Sequence, residues 1–357
     1  MSLDRAELVR AALARVKYPG FSRDIVSFGL VQAIDAEGPV AKVRLAVTTA
    51  DAAVPRQIKE EATRAVEEIP GVERAEVEVA VSAPVTLAAQ TQAPGAPEQN
   101  AIPGVKKIVA VASGKGGVGK STVAAGLALA LREQGFRVGL CDCDIYGPSI
   151  ALMFGAHEAP LGTDDNRILP VEAHGLQLMS MGFLLEDDAP AVLRGPMVTR
   201  YTQQFLRNVS WTDLDYLILD LPPGTGDIQL TIVQTVALAG ALVVTTPQEV
   251  ALIDARKAAA MFRKVNVPVL GIVENMSYFL CPGDGKRYNI FGEGGGKREA
   301  ARLGVPYLGE IPIEIPLRES ADQGAPLLLR DPAAPSSQAF AAIARQLTKQ
   351  TQEIAAK

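Results

Sequence analysis

From residue 105 onward the chain alternates short, unbroken apolar runs with longer helical patterns. The runs fall at 107–112, 138–142, 176–180, 216–220, 241–246 and 269–274. Runs of that length with no polar alternation predict strands buried on both faces. Helical spacing between most of them predicts an α/β domain with a mostly parallel, doubly wound sheet, whose chemistry gathers at the carboxyl ends of the strands. Ahead of it, 5–16 and 56–69 read as helices and 25–35, 40–48 and 75–81 as strands, a small α+β domain. Between the two, 84–103 is rich in Pro, Ala and Gln and has no period, which describes an extended linker. The expected organisation is 1–83, a linker over 84–104, and 105–357.

Gly114-Lys-Gly-Gly-Val-Gly-Lys-Ser-Thr122 follows the first of those apolar runs and precedes an Ala- and Leu-rich segment. Strand, glycine-rich loop and helix in that order make a phosphate-binding P-loop. Gly114, Gly116, Gly117, Val118 and Gly119 supply backbone N–H groups for a triphosphate, Lys120 reaches the β- and γ-phosphates, and Ser121, followed by Thr122, offers a hydroxyl to Mg²⁺. ATP and Mg²⁺ are the expected ligands. Lys115 is not needed to hold phosphate within one chain and asks for another task.

Three further motifs end strands. Cys141-Asp142-Cys143-Asp144 places two carboxylates beside the phosphates. Such a pair is unfavourable unless a metal or a polarised water compensates it, so Asp142 is assigned to the Mg²⁺ shell and Asp144 to the attacking water. The rival reading is that one of them caps the following helix. Cys141 and Cys143 are either soft-metal ligands or buried thiols, the commoner case. Asp215-Tyr-Leu-Ile-Leu-Asp220 delivers Asp220 to Mg²⁺, and the Pro222–Gly226 loop that follows is a candidate γ-phosphate sensor ending at Asp227. Asn275, in Glu274-Asn-Met-Ser277, offers an amide to an adenine edge or caps a turn.

Composition narrows the classes. Of 357 residues, 48% are hydrophobic and 21% charged, which suits a globular enzyme. No apolar stretch reaches membrane-spanning length and the first residues lack a signal-peptide layout, so a cytoplasmic protein without a membrane partner is expected. Three cysteines argue for reduced thiols rather than a disulfide framework. The net charge of −5, with no basic run, gives no sign of a nucleic-acid surface. His157 and His174 suit surface or packing roles, and Gly292–Gly296 reads as a turn before a helix at 297–303.

The loop with its extra lysine resembles the deviant Walker A motif of the MinD, ParA and nitrogenase iron-protein class. That resemblance implies that Lys115 crosses a dimer interface to the partner's ATP, as an arginine finger does. Together with Asp142-Cys-Asp-Ile-Tyr-Gly-Pro-Ser149, Arg194-Gly-Pro-Met197, Trp211, Asp220-Leu-Pro-Pro-Gly-Thr-Gly-Asp227, Asn275-Met-Ser-Tyr-Phe279 and, in the front domain, Asp24-Ile-Val-Ser27, the chain resembles the Mrp (ApbC-like) iron–sulfur cluster carrier ATPases. The resemblance implies ATP hydrolysis by a homodimer that carries a labile [4Fe–4S] cluster to apo-protein clients. Similar proteins usually have Cys-x-x-Cys after the Asn-Met-Ser segment, whereas this chain has Cys281-Pro-Gly-Asp284. Where similar front domains often have Cys-Pro, it has Ala53-Val-Pro55. Cys281 is therefore half of a weakened cluster site, a relic, or an ordinary loop cysteine. The alternative function is a MinD/ParA-like dimerisation switch without a cluster. A membrane-binding version would need a basic amphipathic tail, but Phe340, Ile343 and Leu347 on one face of the last segment read more simply as packing.

Overall fold

The computed structural model describes residues 5–19, 24–26, 30–36, 38, 40–48, 53–82, 101–163, 167–183 and 206–355. The chain divides into two compact units, Met1–Gly95 and Ala96–Lys357. Most of the expected linker, the Arg194–Met197 segment and Ser27 lie outside the described residues.

In the first unit, helices α1 (Arg5–Leu13) and α2 (Ala53–Glu67) accompany strands β1 (Val31–Asp35), β2 (Val40–Thr48) and β3 (Arg74–Ser82). β2 is central, antiparallel to β1 and parallel to β3. Its period of two sends Ala41, Val43, Leu45 and Val47 into a core with Leu13, Ile58 and Val66. On the other face Lys42 and Arg44 sit opposite Glu76 and Glu78 of β3, so the solvent side is charge-matched across strands. β1 starts at Val31 rather than 25, because Asp24 accepts from the Val26 N–H at 2.9 Å and holds that stretch in a turn. Pro55 stands in the first turn of α2, where a missing N–H costs nothing.

The second unit is an eight-stranded sheet in the order β13-β10-β9-β4-β8-β5-β7-β6. Its strands are β4 (Val105–Ser113), β5 (Val138–Asp142), β6 (Val171–Ala173), β7 (Leu176–Ser180), β8 (Leu214–Asp220), β9 (Gly240–Thr245), β10 (Val269–Glu274) and β13 (Tyr307–Glu310). All neighbours pair in parallel except β6, which turns back against β7. A short hairpin, β11 (Phe279–Leu280) and β12 (Arg287–Tyr288), stands apart. The helices are α3 (Lys120–Glu133), α4 (Ile150–Met153), α5 (Asp227–Thr235), α6 (Glu249–Lys264), α7 (Gly295–Leu303), α8 (Ile315–Asp322), α9 (Leu327–Arg330) and α10 (Pro335–Ala355). Val109 and Val111 of β4 enter one core with α3 and α10, while Ile108, Ala110 and Ala112 enter a second core with α5 and α6. The expected parallel, doubly wound P-loop fold is present. Phe340, Ile343 and Leu347 are buried in the first of these cores, as a packing helix requires. Gly126 of α3 leaves room for the Phe340 ring, which would lie 2.4 Å from a Cβ there. β4 is central and ends at the P-loop, and its neighbours β8 and β9 end beside it. The topology thus brings separated motifs to one edge.

Candidate nucleotide site

At the end of β4, the Ser113 hydroxyl donates to the Lys115 carbonyl at 2.9 Å and turns the chain into the loop. Gly117 (φ 80°) and Gly119 (φ 76°) adopt the left-handed conformation that glycine reaches without strain. Gly114 is required for a different reason: a Cβ there would fall 2.1 Å from the Asp254 carbonyl oxygen of α6. The loop hands directly into α3, whose N-terminal N–H groups and dipole favour an anion. Val118 is buried and anchors the loop to the core. Lys115 is half-buried, and among the described residues its ammonium has no hydrogen-bond or ionic partner.

Lys120 is buried at the start of α3, and its ammonium donates to Asp220 Oδ1 at 2.5 Å and to Ser121 Oγ at 3.2 Å. Asp220 is fully buried, and among the described residues its second oxygen has no hydrogen-bond partner. Burial raises the Asp220 carboxyl above the ordinary range, with the Lys120 charge pulling the other way and Asp144 adding to the rise. Lys120, Ser121 and Asp220 therefore meet, as their sequence positions imply. A partnerless carboxylate oxygen beside a hydroxyl is a hard-oxygen donor set that suits Mg²⁺.

Asp142 pairs in register with Asp220 on adjacent strands, but its carboxylate is largely occupied by its own chain. Oδ2 accepts from the Ser149 and Ile150 N–H groups at 2.9 and 3.2 Å and from the Ser180 hydroxyl at 3.2 Å, and Oδ1 from the Asp144 N–H at 3.0 Å. This is the capping alternative: Asp142 shapes the turn into α4 and leaves only Oδ1 with capacity toward a metal-bound water. Burial, then the Asp220 charge, push its carboxyl up to about 7. Asp144, held by that turn, is half-exposed on the same edge.

Asn275 is also committed, at least in part. Its Nδ2 donates to the Val118 carbonyl at 2.9 Å, and a Cβ on Gly119 would lie 2.2 Å from that nitrogen. The side chain braces the P-loop from below, which leaves only the remainder of its amide for a base edge. The Pro222–Gly226 loop is tied to the same site, since the Gly224 N–H donates to the Ser113 carbonyl at 3.0 Å.

Cys141 and Cys143 are buried in the second core with their sulfurs 3.9 Å apart. The hydrogen bond to Cys141, then burial, raises the Cys143 thiol well above its usual range, the behaviour of an inert core thiol. Cys281 is the half-exposed one, in the turn of the β11–β12 hairpin. Asp284 sits across that turn and accepts from the Lys286 N–H at 2.9 Å and the Tyr288 hydroxyl at 2.7 Å; those bonds, reinforced by one to Cys281, hold its carboxyl below the usual range. Among the described residues no three Cys, His, Asp or Glu side chains converge as a metal site. His174 contacts the Phe154 carbonyl at 3.1 Å, a packing role.

Sequence reasoning passed over Glu274, Ser277, Arg287 and Glu310, which form a network between the P-loop brace and the hairpin. The signal was available for the hairpin: Tyr-Phe-Leu and Lys-Arg-Tyr flank Cys-Pro-Gly-Asp-Gly, a turn cluster between strand formers.

Residues 104–348 match the family described as NUBPL iron-transfer P-loop NTPase, and residues 6–79 match the family described as iron–sulfur cluster assembly protein. The iron–sulfur cluster carrier protein of Deinococcus radiodurans is 46% identical over 340 residues, covering 95% of this chain and 93% of its own. That of Escherichia coli K12 is 51% identical over 250 residues, covering 70% of this chain and 67% of its own. Among solved structures, an Archaeoglobus fulgidus nucleotide-binding protein in complex with ADP is 41% identical. It aligns with a TM-score of 0.55 over 62% of this chain and 87% of its own. The cell division ATPase MinD of Pyrococcus furiosus, 22% identical with a TM-score of 0.53 over 68% of this chain and 98% of its own, shares the fold.

Proposed function

This chain belongs to the iron-transfer P-loop NTPase family whose curated relatives are named iron–sulfur cluster carrier proteins, and on that footing we propose that it is an ATP-hydrolysing homodimer that carries an iron–sulfur cluster to apo-protein clients in the cytoplasm. The observation that carries the ATPase half is the closed Lys120–Asp220 pair beside Ser121, with one Asp220 oxygen that no described residue bonds. Incoming phosphates draw Lys120 away from Asp220, which would free that carboxylate, together with the Ser121 hydroxyl, to hold Mg²⁺. The ion would supply charge neutralisation to the phosphates. The loop N–H groups and the α3 N-terminus fix the phosphates in place. Asp144 accepts a hydrogen bond from the attacking water and aligns it with the γ-phosphorus, whose bond to the bridging oxygen breaks as the new P–O bond forms. Lys115, whose ammonium has no partner among the described residues, reaches the partner's phosphates.

The cargo half rests on the relatives' names and on Cys281, the one half-exposed thiol, at the tip of a hairpin. One thiol and one carboxylate per chain do not amount to four thiolates in a dimer. The cluster is held by two Cys281 residues helped by Asp284, another thiol or the client's own cysteines. A cargo-free dimerisation switch is the second reading, favoured by the Asp at position 284. Anaerobic reconstitution with iron and sulfide separates them. About four irons per dimer that vanish in Cys281→Ser support the carrier; no specific iron in either protein leaves the switch.

A further inference from the structure

The segment that braces the P-loop and the hairpin that presents Cys281 are one continuous stretch, 275–288. At one end Asn275 Nδ2 holds the Val118 carbonyl of the loop at 2.9 Å. Next, Met276 has a positive φ of 53°, an uncommon conformation for a side chain of its kind and a point of stored strain. Ser277 then places its hydroxyl between two carboxylates, 2.6 Å from Glu274 Oε1 and 3.0 Å from Glu310 Oε2. A hydroxyl has one proton to donate, so it serves one carboxylate at a time and leaves the other to find a different donor.

Glu310 has that other donor. Arg287 of the hairpin reaches it with both guanidinium nitrogens, Nη1 to Oε1 at 2.8 Å and Nη2 to Oε2 at 3.2 Å, and stacks 3.8 Å from the centre of the Tyr278 ring. Glu274 has the N–H of Gly296, at the start of α7. A Cβ on Gly296 would approach the Glu274 side chain to 3.0 Å. The Ser277 proton thus chooses between the α7 end of the sheet and the hairpin. Cys281 sits within the hairpin turn, its N–H bonded to the Lys286 carbonyl at 3.0 Å, next to Arg287 in the chain.

We propose that Ser277, Glu310 and Arg287 form a positioning relay that couples occupancy of the phosphate loop to the exposure of Cys281. Nucleotide draws on the loop carbonyl held by Asn275, the strained Met276 hinge passes the displacement on, and Ser277 shifts its proton between Glu274 and Glu310. The grip of Glu310 on Arg287 changes with it, and so does the hairpin. A discrete choice of acceptor gives the two arrangements that coupling between separated sites requires. A purely structural clamp would hold the hairpin equally in both states. The proposal rests on the reading of this loop as the nucleotide site and of Cys281 as the delivering thiol.

Cys141 and Cys143 are buried, so alkylation by iodoacetamide in the folded protein reports Cys281 alone. The alkylation rate in wild type is expected to differ at least about five-fold between nucleotide-free protein and protein saturated with Mg·ATP. In Glu310→Gln and Arg287→Met that ratio falls toward one while the ATP dissociation constant stays within about two-fold, and Arg287→Lys restores part of it. Far-UV circular dichroism and ATP binding confirm that each variant is folded. Variants that keep the wild-type ratio overturn the relay, as does a wild-type ratio of one. Because the measurement uses no iron, a protein that responds to ATP but loads no cluster refutes the carrier function and leaves the relay standing. One that loads a cluster with a ratio of one does the reverse.

Discussion

Each assigned side chain makes a separable demand at the residue scale. Lys120→Ala removes the charge that neutralises the phosphates, so ATP affinity measured by calorimetry falls by at least about 30-fold. Lys115→Ala keeps the ATP dissociation constant within about two-fold but lowers kcat by about 10³, the scale of a finger residue, and abolishes ATP-dependent dimers in sedimentation. Asp144→Asn keeps binding and slows turnover by about 10² or more, and unchanged turnover would remove it from the water-orienting role. Asp142 predicts a pH dependence. Its carboxyl titrates near 3.8 in an unfolded chain and near 7 when folded, so the folded state holds the extra proton between those values. Stability from this group is present at low pH and is lost as pH rises through that window. Wild type should out-melt Asp142→Asn by more at about pH 5 than at about pH 8, read by thermal denaturation of the nucleotide-free protein. The chemistry-bearing types at this site were legible because glycine spacing and strand-end carboxylates are local signals. What Asp142 and Asn275 spend their hydrogen bonds on was not. Ser149, Ser180 and Val118 become their partners only through tertiary contact.

At the scale of elements, buried strands were the legible part. β5, β7 and β10 begin and end where their apolar runs do, since a strand covered on both faces has no polar position to blur it. β6 and β13 at the sheet margins and the β11–β12 hairpin were not anticipated. Runs of three or four residues carry too little period to separate from a loop, and the hairpin's signal lay in its turn cluster rather than in its two-residue strands. Gly295 and Gly296, which the sequence reads as part of a turn, instead open α7. There their missing side chains admit the Pro247 backbone and the Glu274 carboxylate. The contact between α3 and α10 offers a direct test of packing. Gly126→Ala gains helix propensity of about 1 kcal/mol but drives a methyl into the Phe340 ring, so a net loss of about 1–2 kcal/mol is expected in chemical denaturation. A more stable Gly126→Ala protein would show that the ring yields freely.

For the whole molecule, each unit has its own apolar core, and the described residues of the nucleotide site all belong to the second. A variant lacking residues 1–100 is therefore expected to bind ATP with a dissociation constant within about two-fold of the full chain. A larger loss in calorimetry would place part of the site in the first unit. The expected division over 84–104 rests on a change of composition, a Pro-, Ala- and Gln-rich stretch with no period, and the two compact units divide between Gly95 and Ala96. Phosphate must displace the Asp220 carboxylate already seated on Lys120, so the site carries an internal rival for its own ligand. Apparent affinity is discounted by the population of the closed pair. A site built this way favours ready exchange of its ligand over tight retention.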